Sequence, residues 1–303
     1  MAEVAPRWAA VVVNYNAGPL LVDCVRSVIA DTSAGVSEVI VVDNQSTDGS
    51  IEALRLELLH GDVRNVEIIL TGMNLGYARA ANLGTAATSA PIVAVLNPDT
   101  LTALGTAAAM LARFDEDDGL GVVGPCVYNT DGSVYPSARR MPPVPIAVGH
   151  GILKSFWPTN PFTRSYRETD LDSSVPREVD WVSGAAIWLR RSALDEIGGW
   201  DERYFMYVED VDLCWRMRGR GWRVAYEPGG SVEHVQGAST ARVPYRMIAE
   251  HHRSLWRFAE RRWRGPRRAL LPAAAAFLGG QAALSMGHHA ASAWSARRRG
   301  VSG

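Results

Sequence analysis

The chain has 303 residues, 47% hydrophobic and 21% charged, which is the ordinary balance of a soluble enzyme with one good core or one core and an appendage. Its three cysteines, Cys24, Cys126 and Cys214, are odd in number and far apart, which excludes a disulfide framework or a cysteine metal pair and favours a reducing cytoplasm. The net charge of −1 hides an asymmetry: after residue 240, twelve arginines face only Glu250 and Glu260, a net of +10, so residues 1–240 carry −11. An acidic body with a basic tail predicts that the tail meets something anionic, whether a membrane surface, a diphosphate-bearing lipid or nucleic acid.

Met1 to Pro6 lack the basic and apolar pattern of a signal peptide. Trp8 to Asn14 reads as a strand, followed by a helix from the spacing of Leu20, Leu21, Cys24, Val25, Val28 and Ile29. A second strand spans Val39 to Asp43 and a second helix Ile51 to Leu59; Val66 to Leu70 and Ile92 to Leu96 are further strands, with a helix from Tyr77 to Thr88 between them. Strands separated by helices predict βαβ units and a mostly parallel sheet, whose ligands bind beyond the carboxyl ends of the strands. Residues 129–178, rich in Pro, Ser, Tyr and Arg, read as a loop-dominated insertion of the kind that carries function. A strand from Trp181 to Leu189, another from Arg223 to Tyr226 and a basic helix from Arg242 to Arg264 follow. Leu270 to Gly287 is uncharged but only weakly apolar and contains Pro272, so an amphipathic or buried helix is expected, anchored by arginines to anionic lipid. No aromatic RNA-binding signature accompanies the arginines, so nucleic acid is not expected as a partner.

Polar residues gather at the predicted strand ends. Asp43 to Gly49 is either a turn with Asp48 as a helix cap or a loop that puts Asp43 on a nucleotide's base or ribose. Gly72 to Asn82 is either a glycine turn or a helix start suited to a phosphate; its spacing is not the dinucleotide fingerprint and no P-loop lysine follows. In Asn97-Pro98-Asp99, Asp99 is either part of a β-turn or a Mg2+ or Mn2+ ligand bridging to a diphosphate. His234 is either structural or the completion of a divalent-metal site. The densest signal is Glu209-Asp210-Val211-Asp212, three carboxylates in four residues after a run of aromatics. Crowding like charges makes ionising all of them unfavourable unless a cation or a substrate hydroxyl shares the site, so the cluster reads as chemistry first.

Taken in order, Asn14-Tyr15-Asn16, Val42 to Gly49, Asn74-Leu75-Gly76-Tyr77, Asn97-Pro98-Asp99 and Glu209 to Asp212 resemble the family 2 glycosyltransferases of GT-A fold, over residues 8 to 240. Asp131 to Arg139, Phe156 to Pro161 and Arg203 to Tyr207 resemble its actinobacterial rhamnosyltransferase branch, which builds the cell-wall linker. The resemblance implies a GT-A domain over residues 1–240, an α/β fold with a mostly parallel central sheet flanked by helices, and a helical, arginine-rich, membrane-associating extension over 241–303. It implies transfer of L-rhamnose from dTDP-L-rhamnose to an N-acetylglucosaminyl-diphospho-decaprenol acceptor, on the inner face of the plasma membrane.

The same resemblance implies the site residues. Asp210 is the general base, with Glu209 and Asp212 orienting it, the acceptor or the donor. Asp43 takes the base or ribose, with Asn14, Tyr15 and Asn16 beside it, and Asn44, Ser46, Asp48, Asn74, Gly76 and Asn97 complete the donor site. Asp99 and His234 hold Mg2+ or Mn2+, with Asn97 standing where the family has the first aspartate of Asp-x-Asp. Three alternatives stay open: a galactofuranosyl or mannosyl donor on the same fold, a sugar-nucleotide-binding protein without catalysis, and a nucleotidyltransferase. The last would want a basic glycine-rich loop after the first strand, which Asn14 to Gly18 does not offer.

Overall fold

The computed structural model describes residues 7–34, 37–60, 65–153, 157–167, 172–235 and 243–298. The strands are β1 (Trp8–Asn14), β2 (Ser37–Asp43), β3 (Val66–Leu70), β4 (Ile92–Leu96), β5 (Thr100–Thr102), β6 (Leu120–Tyr128), β7 (Val134–Tyr135), β8 (Ala138–Arg139), β9 (Arg177–Val179), β10 (Trp181–Val182), β11 (Ala186–Arg190) and β12 (Arg223–His234). The helices are α1 (Leu20–Ala30), α2 (Ser50–His60), α3 (Tyr77–Ala86), α4 (Thr106–Glu116), α5 (Val144–Leu153), α6 (Pro161–Arg167), α7 (Arg191–Glu196), α8 (Glu209–Arg218), α9 (Pro244–Arg262) and α10 (Leu271–Arg298).

The main sheet runs β3-β2-β1-β4-β11-β6-β12-β5, with β7 beside β6 and β9 beside β12. β3, β2, β1 and β4 are parallel neighbours; β11 is antiparallel to both β4 and β6, and β12 is parallel to β6. All seven residues of β1 are buried because helices cover both faces of the sheet. The side-chain alternation divides them: Ala9, Val11 and Val13 pack with α3 and α8, while Ala10 and Val12 pack with α1, α2 and α4. Each fully buried Val contributes roughly 1.5–3 kcal/mol, so the register of β1 is firmly set. That register puts Asn14 beside Asp43, and Val12 beside Leu96, two residues before Pro98.

Several elements differ from the sequence expectation. The single strand expected from Trp181 to Leu189 is two: β10 pairs with β8 in a separate ribbon, β11 joins the main sheet, and Ser183-Gly184-Ala185 leaves both ladders. The strand expected to end at Tyr226 continues to His234, through a register break between Glu227 and Ser231 at Pro228-Gly229-Gly230. Residues 129–178 carry α5 and α6 as well as loops. The helix expected from Leu270 to Gly287 runs to Arg298 and is neither buried nor amphipathic: its apolar residues are spread around the axis, and within residues 265–292 its 18-residue apolar stretch, of mean hydropathy 1.4, has no buried residue. Phe156 of the rhamnosyltransferase-like segments and the domain boundary at residues 240 and 241 lie outside the described residues.

Candidate active site

The loop after β1 and the loop after β2 are stitched together behind the cleft. The side-chain amide of Asn14, fully buried, faces Asp43 Oδ1 at 2.8 Å and the hydroxyls of Ser46 and Ser50 at 3.0 Å each. Ser46 donates its backbone N–H to Asp43 Oδ2 at 3.0 Å and its hydroxyl to Oδ1 at 2.6 Å, so both oxygens of this 4% exposed carboxylate are engaged. Asn16 accepts from Thr47 N–H at 2.8 Å, and Asp48 accepts from Gly18 N–H at 2.7 Å. Asn14, Asn16, Asp43, Ser46 and Asp48 thus shape the loops, while Tyr15, Asn44, Asn74, Gly76 and Asn97 line the cleft itself.

Asn44 braces the next loop, donating to Gly76 O at 3.2 Å and accepting from Leu75 N–H at 3.3 Å. Gly76 has φ 84°, and a Cβ there would stand 2.5 Å from the Phe205 carbonyl oxygen. That close approach lets Tyr77 N–H donate to the same oxygen at 2.8 Å, fastening the start of α3 to the segment before the acidic cluster. The segment ends in two non-glycine residues in the left-handed region, Tyr207 at φ 68° and Val208 at φ 70°, and Val208 is the N-cap of α8. For a β-branched residue this is a strained conformation, held by its surroundings.

α8 opens with Glu209 and Asp210, where the helix dipole favours negative charge. Asp210 Oδ2 accepts from Gly184 N–H at 2.8 Å and Oδ1 from Val211 N–H at 2.8 Å. Burial raises the Asp210 carboxyl above its ordinary range, and those N–H groups oppose the rise. Glu209 is held less well: its Oε2 is buried without a partner, and burial together with the charge of Asp210, opposed by its own backbone N–H, pushes its carboxyl up to about 8. The two carboxyls titrate as a pair: the N–H groups favour the ionised form of Asp210, while burial favours the protonated form of Glu209.

Asp212 points elsewhere. It is 0% exposed, pairs with Arg216 Nε at 2.7 Å and with Arg261 of α9 at 3.4 Å, and does not line the cleft. The acidic cluster is therefore two carboxylates at the cleft and one anchor that ties α8 to α9.

The strand ends bring the remaining pair together. β5 pairs antiparallel with the end of β12, Thr100 beside His234, which sets His234 Nε2 3.1 Å from Asp99 Oδ1 and 3.3 Å from Asn97 Nδ2. Asp99 is 7% exposed, and both residues line the same cleft as Asp210. The cleft measures about 1500 Å3. Sequence reading missed Gly184, whose N–H holds Asp210 and whose carbonyl accepts from the Tyr77 hydroxyl at 2.8 Å, and Ala185, whose carbonyl accepts from Asn97 N–H at 2.9 Å. The one available signal was a glycine inside an otherwise apolar strand pattern.

A family model described as glycosyltransferase-like family 2 matches residues 6–258. The chain belongs to this family. It is 40% identical, over 88% of its own length and 89% of the relative's, to the N-acetylglucosaminyl-diphospho-decaprenol L-rhamnosyltransferase of Mycobacterium tuberculosis. The pre-mycofactocin glycosyltransferase of the same organism is 31% identical over 67% of this chain and 38% of its own. Among solved structures, the mannosyltransferase PcManGT from Pyrobaculum calidifontis, in complex with GDP-Man and Mn2+, superposes with a TM-score of 0.60 at 20% identity, over 97% of this chain and 81% of that one. GalNAc-T7 with UDP, GalNAc and Mn2+ gives 0.57 at 16% identity, over 77% and 44%. These two similarities establish the GT-A glycosyltransferase fold, as expected from the strand-end motifs.

Proposed function

We propose that this chain is an inverting rhamnosyltransferase that moves L-rhamnose from dTDP-L-rhamnose to N-acetylglucosaminyl-diphospho-decaprenol. The observation that carries the reading is the 40% identity to the mycobacterial enzyme of that name, spread almost end to end over both chains.

The residues supply a consistent division of labour. An acceptor hydroxyl oxygen attacks the anomeric carbon of rhamnose, the bond from that carbon to the β-phosphate oxygen breaks, and dTDP leaves. Asp210 takes the hydroxyl proton, with its two N–H donors fixing the carboxylate and the rise in its pKa keeping it basic enough to do so. Glu209, protonated beside it, adds no second negative charge and offers an O–H to a sugar oxygen. Tyr15, Asn44, Asn74 and Gly76 line the donor side, backed by the network of Asn14, Asn16, Asp43, Ser46 and Asp48.

Asp99 and His234 fit a divalent cation. Their polar atoms stand at hydrogen-bond distance, 3.1 Å, at the cleft wall, and a carboxylate oxygen and an imidazole nitrogen so close together would form a donor pair for a divalent cation such as Mg2+ or Mn2+. No cluster of three or more His, Cys, Asp or Glu side chains is present among the described residues, so diphosphate oxygens and water would complete the shell. Such an ion would neutralise charge developing on the leaving dTDP.

The exposed, apolar α10 and the basic tail suit the cytoplasmic membrane face, where a polyprenyl acceptor resides. The test is a donor panel offered with N-acetylglucosaminyl-diphospho-polyprenol and Mg2+, with the glycolipid identified by mass spectrometry. A deoxyhexose adduct from dTDP-rhamnose is expected; no product from that donor would reject the assignment.

A further inference from the structure

The cleft has two chemically different arms. Of its carboxylates, Asp99 follows β4 and Glu209 and Asp210 open α8, and none of the lining residues contributed by α5, α9 and α10 is acidic. That second arm is walled largely by apolar side chains, among them Ala147, Val148, Leu255, Phe258, Ala274 and Phe277, with Arg246, His251, His252 and Gln281 between them. Its apolar part suits a hydrocarbon better than a sugar nucleotide, whose hydroxyls and phosphates would lose water against it without gaining partners.

α10 forms the outer wall of this arm. Its half-buried positions, among them Ala274, Leu278 and Gln281, recur at helical spacing. Gln281 donates to Gly151 O of α5 at 2.7 Å, and Phe277 sits so close to Gly151 that a Cβ there would stand 3.0 Å from its ring. The opposite face is bare: Ala276, Gly279 and Ala283 are exposed there, and Leu284, on the flank beside Gln281, is 73% exposed. One helix therefore shows apolar side chains to solvent on one side and to the catalytic cleft on the other. An apolar stretch of 18 residues is about 27 Å long, close to the thickness of a bilayer's hydrocarbon core.

The arginines of α9 separate in the same way. Arg253, Arg257 and Arg261 bind protein oxygens, on Glu250, the Arg203 carbonyl, and Asp201 with Asp212. Arg262 does not. Its guanidinium meets Met141 Sδ at 3.9 Å and stands over the Phe258 ring at 6.0 Å, and among the described residues no carboxylate pairs with it. Burial and the nearby Arg267 lower its pKa, and Asp180, which pairs with Arg218, opposes the fall only in part. It lines the cleft where the apolar arm meets the polar one, next to Met141.

We propose that the arm between α5, α9 and α10 holds the polyprenyl chain of the acceptor, entering from the membrane along α10, while Arg262 holds the acceptor's diphosphate. The proposal rests on the acceptor class put forward above. It adds a location for the two parts of that molecule that do not react, on α5, α9 and α10 and not on the loops that carry the donor residues.

Binding and turnover separate the two readings. Calorimetric titration of the full chain with geranylgeranyl diphosphate, geranylgeraniol and inorganic pyrophosphate is expected to show the diphosphate lipid binding at least about tenfold more tightly than either fragment. Ala274→Trp on α10, or Ala147→Trp on α5 should the first variant not fold, fills the arm. Either is expected to weaken the lipid diphosphate about tenfold or more and leave pyrophosphate unchanged. Arg262→Gln is expected to remove the preference for diphosphate lipid over alcohol.

Lipid diphosphate binding that neither tryptophan alters, or no binding at all, overturns the proposal. If rhamnose transfer proceeds but its dependence on acceptor chain length is the same in wild type and both tryptophan variants, the arm is not the lipid site and the reaction stands. If the lipid diphosphate binds as expected but dTDP-rhamnose yields no product, the arm stands and the reaction does not.

Discussion

The backbone N–H of Gly184 donates to Asp210 Oδ2 at 2.8 Å, and a Cβ at Gly184 would stand 3.2 Å from the Asp210 Cβ. Asp210, the proposed base, is thus oriented by a glycine that lies between two strands, where a side chain would be tight. Gly184→Ala should force Asp210 to give by a few tenths of an ångström. Misplacing a catalytic group by about 1 Å removes on the order of 100-fold in rate, so a fall in kcat of about 10-fold is expected, with the donor KM and the unfolding midpoint little changed. Steady-state kinetics with both substrates saturating and a thermal melt check it together.

Asp212 makes the opposite prediction, although it stands only two residues from the base. Its carboxylate is sealed against Arg216 and reached by Arg261, so Asp212→Ala leaves buried guanidinium charge without its partner. Breaking a buried pair by removing one member destabilises by about 3–5 kcal/mol. Urea unfolding should show a loss of that order. A folded protein of unchanged stability with much reduced kcat would instead return Asp212 to the chemistry.

Glu209 predicts a pH dependence of stability. Its carboxyl titrates near 8 in the folded chain against an ordinary 4.5. Below 4.5 both states hold the proton; between 4.5 and 8 only the folded state does. The unfolded state binds fewer protons in that window, so stability falls as pH rises through it and levels off above it. Raised in the same direction by burial, Asp210 adds to the fall. Glu209→Gln should flatten the profile between pH 6 and 8, read from urea midpoints at several pH values. A variant whose profile keeps the wild-type slope would show that Glu209 is already ionised at neutral pH.

The parts of this arrangement that were legible in the sequence follow from simple physics. β1, β3 and β4 are short apolar runs with turn residues at both ends, and the structure keeps the expected limits, Trp8–Asn14, Val66–Leu70 and Ile92–Leu96. The meeting of Asp99 with His234 was expected from family resemblance alone, because the antiparallel pairing of β5 with β12 that creates it has no local sequence signature. The division of the acidic cluster was not legible at all. Asp212 looks like its neighbours until Arg216 and Arg261 are seen to enclose it, and Arg261 lies 49 residues further along the chain. Nor does composition reveal that Asp43 accepts from Asn14 and Ser46, since a strand-end aspartate serves a turn and a ligand equally well.

The cation proposed for Asp99 and His234 predicts metal dependence. A chelator should abolish transfer, and Mg2+ or Mn2+ should restore it. His234→Ala should raise the metal concentration needed for half-maximal activity at least about 10-fold, the lower end of the effect of losing an outer-shell partner. Activity that is full in chelator, or a His234→Ala variant with an unshifted metal titration, would remove this pair from the metal site.

The most direct measurement is the single-turnover rate of Asp210→Asn with dTDP-rhamnose and N-acetylglucosaminyl-diphospho-polyprenol, alongside donor binding and the far-ultraviolet circular dichroism spectrum. Asparagine keeps the shape and can still accept from the Gly184 N–H through its carbonyl oxygen, at the loss of the bond from Val211 N–H, but it cannot take a proton. The expected result is a native spectrum, donor affinity close to wild type and a rate lower by at least about 100-fold. A rate within a few-fold of wild type would contradict the assignment of Asp210 as the base.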